Sequence, residues 1–245
     1  MRVAYFDCSG GISGVAALAA LVDAGADLDR LSAGLAFLGA GSPVIRAGTR
    51  LHGAFRVRTI SVESGAKPVG NRLENIVKLV SKGEMPDRAR ALALRVYDRL
   101  ANAEAQVHGA DPDTVSFHEI GSLRSIVGVL GSAIALELLG IDHVVSSPVP
   151  MGQGTVDTAH GQLALPTPAT LELLRGVPVE AQDRPGELVT PTGAALLVAA
   201  ASSFGAIPAM TIDGIDYGAS DRPQPTSVLR VVLGHATDAD VAHRP

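Results

Sequence analysis

A strand-like segment that opens directly into a glycine-rich loop and then into a helix is the feature that most constrains the fold. Val3 to Phe6 is a short apolar run with β-branched and aromatic members, and Val15 to Ala24 has the composition of a helix. The loop between them, Asp7 to Gly14, is rich in glycine and serine. A buried strand that turns at once into a helix is typical of proteins in which the two alternate. We therefore predict an α/β fold, with a largely parallel or mixed sheet flanked by helices.

Further strands are predicted along the rest of the chain, which we treat as one domain over 1–245. Alternation of apolar and polar residues predicts a half-buried strand over 53–60. Apolar runs predict strands at 144–149 and 228–233, and a strand-like piece begins at Val115.

Helical spacing of apolar residues predicts two helices in the middle of the chain. The first is capped by Asn71 and ended by Gly83, and the second runs from Pro86 to about Val107. Residues 71–108 could form a small helical lobe within the domain. A longer helix is predicted to end at Gly140.

Composition and charge argue against several classes of partner. The formal net charge is −5 and no dense Lys/Arg cluster is present, which disfavours nucleic acid and anionic membrane surfaces. The most apolar run, 126–139, is too short to span a bilayer, and the first residues read as a strand rather than a secretion signal. A single cysteine cannot form an intrachain disulfide. We expect a cytoplasmic protein that binds an anionic small molecule, with homo-oligomer formation left open.

The Asp7 to Gly14 loop is the sharpest local candidate for a binding site. Its glycines would let the backbone approach a ligand, and the N–H groups that open the next helix favour an anion. A tight turn without any ligand explains the pattern equally well. The candidate acid–base residue is Asp7, at the end of the strand. The candidate substrate-binding residues are Cys8, Ser9, Gly10, Gly11 and Ser13, with Cys8 either an activated thiolate or a small buried residue.

Two histidines and a glutamate are further candidates for chemistry. His118 and Glu119 precede the predicted helix that ends at Gly140, and His160 lies in a polar segment followed by glycine. These side chains could perform acid–base catalysis, or they could hold a divalent cation. Their spacing does not decide between the two.

Two Thr-Pro pairs predict helix starts, at Thr167-Pro168 and at Thr190-Pro191. Capping alone explains both threonines. The second pair is richer, because Glu187, Thr190 and Thr192 place a carboxylate and two hydroxyls around one helix N-terminus. An anionic ligand group could dock there.

Taken together, these segments resemble the LarC family, which inserts nickel into the pyridinium bis-thiocarboxylate mononucleotide cofactor of lactate racemase-type enzymes. The similarity extends in order over almost the whole chain. The matching segments are Asp7-Cys8, Gly11 to Gly14, His118 to Gly121, Ser125 to Val127, Ser147 to Gly154, Ala159 to Gly161, Pro166 to Gly176, Glu187 to Ala195 and Val228 to Gly234.

The sequence also departs from the family pattern at several positions. Val15-Ala16 stands where the family has Asp-Met, and Arg124 and Gly128 stand where it has aspartates. A His-rich loop that many members carry is missing, and the family's C-terminal domain, associated with cytidine triphosphate and a divalent metal, is expected to be absent.

These departures lead to a functional expectation that can be tested against the structure. We expect a diverged enzyme of the lyase, cyclase or isomerase type in a specialised biosynthetic pathway, without nickel insertion and without a cofactor. Arg124 would bind its anionic substrate. One alternative is the N-terminal subunit of a nickel-insertion enzyme that works with a separate nucleotide-binding subunit, and nickel, manganese or cytidine triphosphate would be required only then. Another is a non-catalytic carrier of the cofactor.

Overall fold

Strands and helices alternate in the computed structural model, which describes residues 1–39, 43–63, 72–115, 117, 121–221 and 227–237. The strands are β1 (Arg2–Asp7), β2 (Val44–His52), β3 (Phe55–Glu63), β4 (His143–Ser146), β5 (Val149–Gln153), β6 (Thr155–Thr158), β7 (Gly161–Ala164), β8 (Val179–Pro185), β9 (Ala201–Phe204), β10 (Met210–Ser220) and β11 (Val228–Ala236). The helices are α1 (Gly14–Asp23), α2 (Leu28–Gly34), α3 (Leu73–Lys82), α4 (Asp87–His108), α5 (Leu123–Leu138), α6 (Pro168–Leu173) and α7 (Pro191–Ala200).

Seven of the strands form one sheet in the order β2-β3-β10-β11-β1-β4-β9. The pairs β2/β3, β10/β11 and β11/β1 are antiparallel, and the pairs β3/β10, β1/β4 and β4/β9 are parallel. Two small sheets, β5/β8 and β6/β7, lie outside it. The predicted α/β class is therefore confirmed, and the sheet is mixed.

The core is built from small and branched aliphatic side chains because the chain has few aromatic residues. Helix α1 is buried along almost its whole length and contacts α5, β3 and β10. Helix α4 packs against α5, α6 and α7, and the buried residues of α3 and α4 belong to the same cluster as those of α1 and α5. None of the described helices is long and apolar enough to cross a membrane.

Most predicted elements are present, with two differences. The described residues of the strand-like piece, Val115 and Phe117, are not in a strand, and a 3-10 turn over Pro112–Thr114 capped by Asp111 leads into Val115. The predicted strand at 144–149 is two strands in different sheets, β4 and β5. Pro148 lies between them, and proline has no N–H with which to continue a ladder. Asn71 lies outside the described residues.

Candidate functional site

A polar cleft of about 430 Å³ lies where helices α1, α5 and α7 begin. Its walls carry hydroxyl groups, two carboxylates and one guanidinium group. The lining residues are Ser13, Gly14, Val15, Ser122, Arg124, Ser125, Val156, Asp157, Glu187, Thr190, Pro191, Thr192, Ser220 and Ser227. We refer to this space as the cleft.

Each of the three helices begins with a hydroxyl side chain that caps its first turn. The Ser13 hydroxyl accepts a hydrogen bond from the Ala16 N–H at 3.2 Å, and that of Ser122 accepts one from the Ser125 N–H at 3.3 Å. Thr190 caps α7 in the same way. The remaining N–H groups of a first turn have no acceptor within their helix. The cleft is therefore bordered by the positive ends of three helix dipoles.

Glycines hold the three helix starts close together. A Cβ atom on Gly128 of α5 would lie 2.9 Å from the Gly14 carbonyl carbon, and one on Gly193 of α7 would lie 2.5 Å from the Ile12 carbonyl oxygen. Both distances are shorter than a carbon atom tolerates next to backbone. Gly128 is thus a helix-packing position, and any larger residue there would push α5 away from α1.

Charges of both signs lie in the cleft. Arg124 forms an ion pair with Asp221 at 2.5 Å, and each side chain is about one-third exposed. Asp157 and Glu187 also line the walls. Asp221 already neutralises the charge of Arg124. An anionic ligand that binds Arg124, as predicted, would have to share its guanidinium group with the Asp221 carboxylate.

Two serine hydroxyls in the cleft have no hydrogen-bond partner among the described residues. Ser227 is only 3% exposed and Ser220 only 8%, and both line the cleft. Ser220 is the last residue of β10 and Ser227 directly precedes β11. Their hydroxyl oxygens are not among the fully buried side-chain atoms without a partner, so they face the space of the cleft. These two groups are available to a ligand.

Asp7 and Cys8 belong to a second polar group of residues, on the other side of the loop. The Asp7 carboxylate accepts the Ser9 N–H at 3.0 Å and forms an ion pair with Arg230. Burial alone would raise the pKa of this carboxyl, but the hydrogen bonds from Ser9 and the Arg230 guanidinium outweigh burial and lower it. Asp7 is therefore an ionised group whose oxygens already have partners.

Cys8 is fully buried beneath the loop. Its N–H donates to the Ser147 hydroxyl at 2.9 Å, and its sulfur lies 3.6 Å from the Ser146 hydroxyl oxygen. Burial raises the pKa of the thiol to about 12. A buried thiol with a raised pKa is a small structural residue rather than an activated thiolate, which is the second of the two interpretations of Cys8 given by the sequence.

Gly10 and Gly11 approach the protein's own backbone. A Cβ on Gly10 would lie 2.2 Å from the Val228 carbonyl oxygen, and one on Gly11 would lie 2.3 Å from that of Leu188. Gly11 also has φ of +93°, where side chains are disfavoured. Packing against these two carbonyl oxygens accounts for both glycines without a ligand.

The predicted histidine site is only partly described. His118 and Glu119 lie outside the described residues. His160 lies in the turn between β6 and β7, with its ring centre 4.9 Å from that of His108. Within the part of the chain that the structure describes, no group of three His, Cys, Asp or Glu side chains is placed to hold a metal ion.

The predicted site residues therefore separate into two sets. Among the described residues, the ones that line the cleft are Ser13, Arg124, Glu187, Thr190 and Thr192, and the ones that do not are Asp7, Cys8, Ser9, Gly10, Gly11 and His160. Their catalytic and binding roles stay predictions. Five polar lining residues were missed: Ser122, Ser125, Asp157, Ser220 and Ser227. Ser122 could have been found as a helix cap, whereas Ser220 and Ser227 carry no local signal.

Comparison with known proteins identifies the family. A family model described as nickel insertion protein matches residues 4–244. The chain belongs to this family. A pyridinium-3,5-bisthiocarboxylic acid mononucleotide nickel insertion protein from Desulfitobacterium hafniense is 40% identical over 242 residues, which are 98% of this chain and 60% of that protein. A relative from Citrifermentans bemidjiense, also named for nickel insertion, is 41% identical over 244 residues, 98% of this chain and 63% of the relative.

The chain thus spans about three-fifths of the length of these relatives. No solved structure was found to match it. The suspected LarC resemblance is confirmed.

Membership in this family corrects two expectations. The lyase, cyclase or isomerase reading without nickel insertion is wrong, because relatives similar over the whole chain are named for nickel insertion. The expectation that no cofactor metal is handled is wrong for the same reason. The inference relied on Val15, Arg124 and Gly128, yet Gly128 packs against backbone and does not line the cleft.

Proposed function

We propose that this chain takes part in nickel insertion by holding a pyridinium-3,5-bisthiocarboxylic acid mononucleotide in the cleft. The observation that carries the proposal is that family segments far apart in sequence meet at this one polar space. Ser13, Ser125 and Thr190 come from three such segments, and all of them line it. An open α/β sheet binds ligands in the crevice outside the carboxyl ends of its strands, and α1 begins just after the end of β1.

The chemistry of that molecule explains why the protein need not supply a complete metal site. Its two thiocarboxylate groups carry soft sulfur ligands, which suit late first-row metal ions such as Ni²⁺. Nickel is a substrate in this reaction, so the ligands that retain it can belong to the organic molecule. The chain's part is to bind and orient that molecule, and to keep Asp157 and Glu187 near an incoming cation.

The activity is proposed for an assembly larger than the region described. The relatives contain a further two-fifths of their length that this chain does not match. We propose that a nucleotide-binding part equivalent to it, with cytidine triphosphate and a divalent metal such as manganese, is needed for turnover. The proposed location is the cytoplasm, where Cys8 would stay reduced.

A nickel-transfer assay tests this function. The chain is incubated with the purified mononucleotide, Ni²⁺ and cytidine triphosphate, with and without the non-matching region of the Desulfitobacterium hafniense relative added as a separate polypeptide. We expect a product whose mass includes one nickel, formed when both polypeptides are present. Failure to form it, under conditions where the full-length relative does, would contradict the proposal.

A further inference from the structure

We propose that the phosphate group of the mononucleotide binds at the junction of the three helix starts, between the first turns of α1, α5 and α7 and the hydroxyls of Ser220 and Ser227. This inference rests on the proposed function and specifies which end of the ligand occupies which part of the cleft.

The three helix starts provide donors that suit a phosphate. A phosphate is a tetrahedral dianion that accepts hydrogen bonds from several directions at once. Three capped helices of 10, 16 and 10 residues begin at this cleft. Because first-turn N–H groups have no acceptor within the helix, the starts of all three helices offer donors at the border of one cleft.

Two serine hydroxyls support the same position independently of the helices. Ser227 is 3% exposed and Ser220 is 8% exposed, both line the cleft, and neither hydroxyl has a partner within the described part of the chain. Their oxygens are not among the fully buried side-chain atoms that lack a partner, so they face the open space of the cleft and can donate to a group bound there. The two groups therefore indicate an acceptor that belongs to the ligand.

The charged side chains that the structure describes in the cleft do not themselves attract an anion. Arg124 is paired with Asp221, and Asp157 and Glu187 are carboxylates. An anion close to these carboxylates would be repelled, so a phosphate has to lie beside the helix starts and serines instead. The helix starts and serines therefore receive the phosphate, while the carboxylates remain for the pyridinium ring and the metal ion.

The test compares two probes that differ only by the phosphate. Nicotinic acid mononucleotide and nicotinic acid riboside are titrated into the full chain by calorimetry. We expect the mononucleotide to bind at least about tenfold more tightly, the equivalent of one or more hydrogen bonds to a charged group. The Ser220→Ala/Ser227→Ala double variant should lose most of this preference and keep its affinity for the riboside.

Ser203→Ala is the matched control, because Ser203 lies exposed on β9 and does not line the cleft. It should keep the full preference. Thermal unfolding of the double variant checks that the fold is intact, and since the two hydroxyls have no partner to lose, we expect no decrease in Tm.

The outcomes separate this inference from the proposed function. Equal affinities for the two probes, including no detectable binding of either, would overturn the phosphate site even if nickel transfer is observed. An equal loss of preference in Ser203→Ala would overturn it too. A phosphate preference that depends on Ser220 and Ser227, in an assembly that transfers no nickel, would retain the site and refute the proposed function.

Discussion

Two polar regions flank the loop that follows β1, and they differ in how their polar groups are satisfied. Around Asp7 and Cys8 the polar groups find partners inside the protein, in Ser9, Arg230 and the two serines at the end of β4, Ser146 and Ser147. In the cleft, two nearly buried serine hydroxyls have no partner among the described residues. The first region has the properties of a structural cluster. The second has the properties of a binding site.

This difference shows that a loop that matches the family over its whole length can contribute only one of its halves to the cleft. The half from Asp7 to Gly11 is packed against Leu188 and Val228. The half from Ser13 onward opens into the cleft. Substitutions can change one region at a time and show whether the other responds.

The largest expected effect concerns the reactivity of Cys8. Because burial raises the pKa of its thiol to about 12, almost no thiolate is present at pH 8, and the sulfur has no exposed surface. We expect alkylation by iodoacetamide in the native protein to be at least about a thousandfold slower than in urea. Mass spectrometry of the quenched reaction measures this. Rapid stoichiometric labelling of the native chain would show that the Asp7 region is an accessible reactive site.

A smaller effect is expected from removing the charge partner of Asp7. Arg230→Met leaves a mostly buried carboxylate with fewer partners and should lower the free energy of unfolding by about 1–3 kcal/mol, measured in urea at pH 7. Arg46→Met is the control, since Arg46 pairs with Glu63 on an exposed surface and its loss should cost less than about 1 kcal/mol. Binding of nicotinic acid mononucleotide should be unchanged in both variants.

The same variant gives a pH dependence. The native pKa of Asp7 is lowered, so its contribution is fully present above the unfolded value of about 4 and is lost as the pH falls through the native value below that. The difference in unfolding free energy between the native chain and Arg230→Met should therefore shrink below about pH 4. A difference that stays constant between pH 7 and pH 3 would argue that Asp7 is not ionised by this pair.

The smallest effect is expected at the helix contact behind the cleft. Gly128→Ala would place a Cβ 2.9 Å from the Gly14 backbone, whereas Gly131→Ala would meet the end of the flexible Leu18 side chain at 2.9 Å. We expect Gly128→Ala to destabilise by about 1–2 kcal/mol and to weaken mononucleotide binding. Gly131→Ala should be close to neutral, because alanine favours the helix. Thermal unfolding compares the two, and equal Tm values would contradict the close contact.

Much of the fold could be predicted from local patterns. The strand-loop-helix start at β1, the capped Thr190-Pro191 start of α7 and the long apolar helix α5 all carry local signals. The β6/β7 hairpin and the position of β10 were not predicted, since exposed or irregular strands have weak periodicity. The order of the sheet depends on pairings between distant residues, which no local pattern contains.

The candidate site was predictable only where a helix start marked it. Ser13, Thr190 and Thr192 carry such marks. Glycines do not reveal what they approach, and at Gly10 the neighbour is the carbonyl of Val228. Ser220 and Ser227 reach the cleft because β11 lies between β1 and β10 in the sheet. That placement is a product of tertiary structure.

A crystal structure of the full chain with nicotinic acid mononucleotide tests the central claim most directly. We predict phosphate density between the first turns of α1, α5 and α7, within hydrogen-bond distance of the Ser227 hydroxyl. Phosphate density beside Arg230 and Asp7, or at any position outside the cleft, would contradict the account.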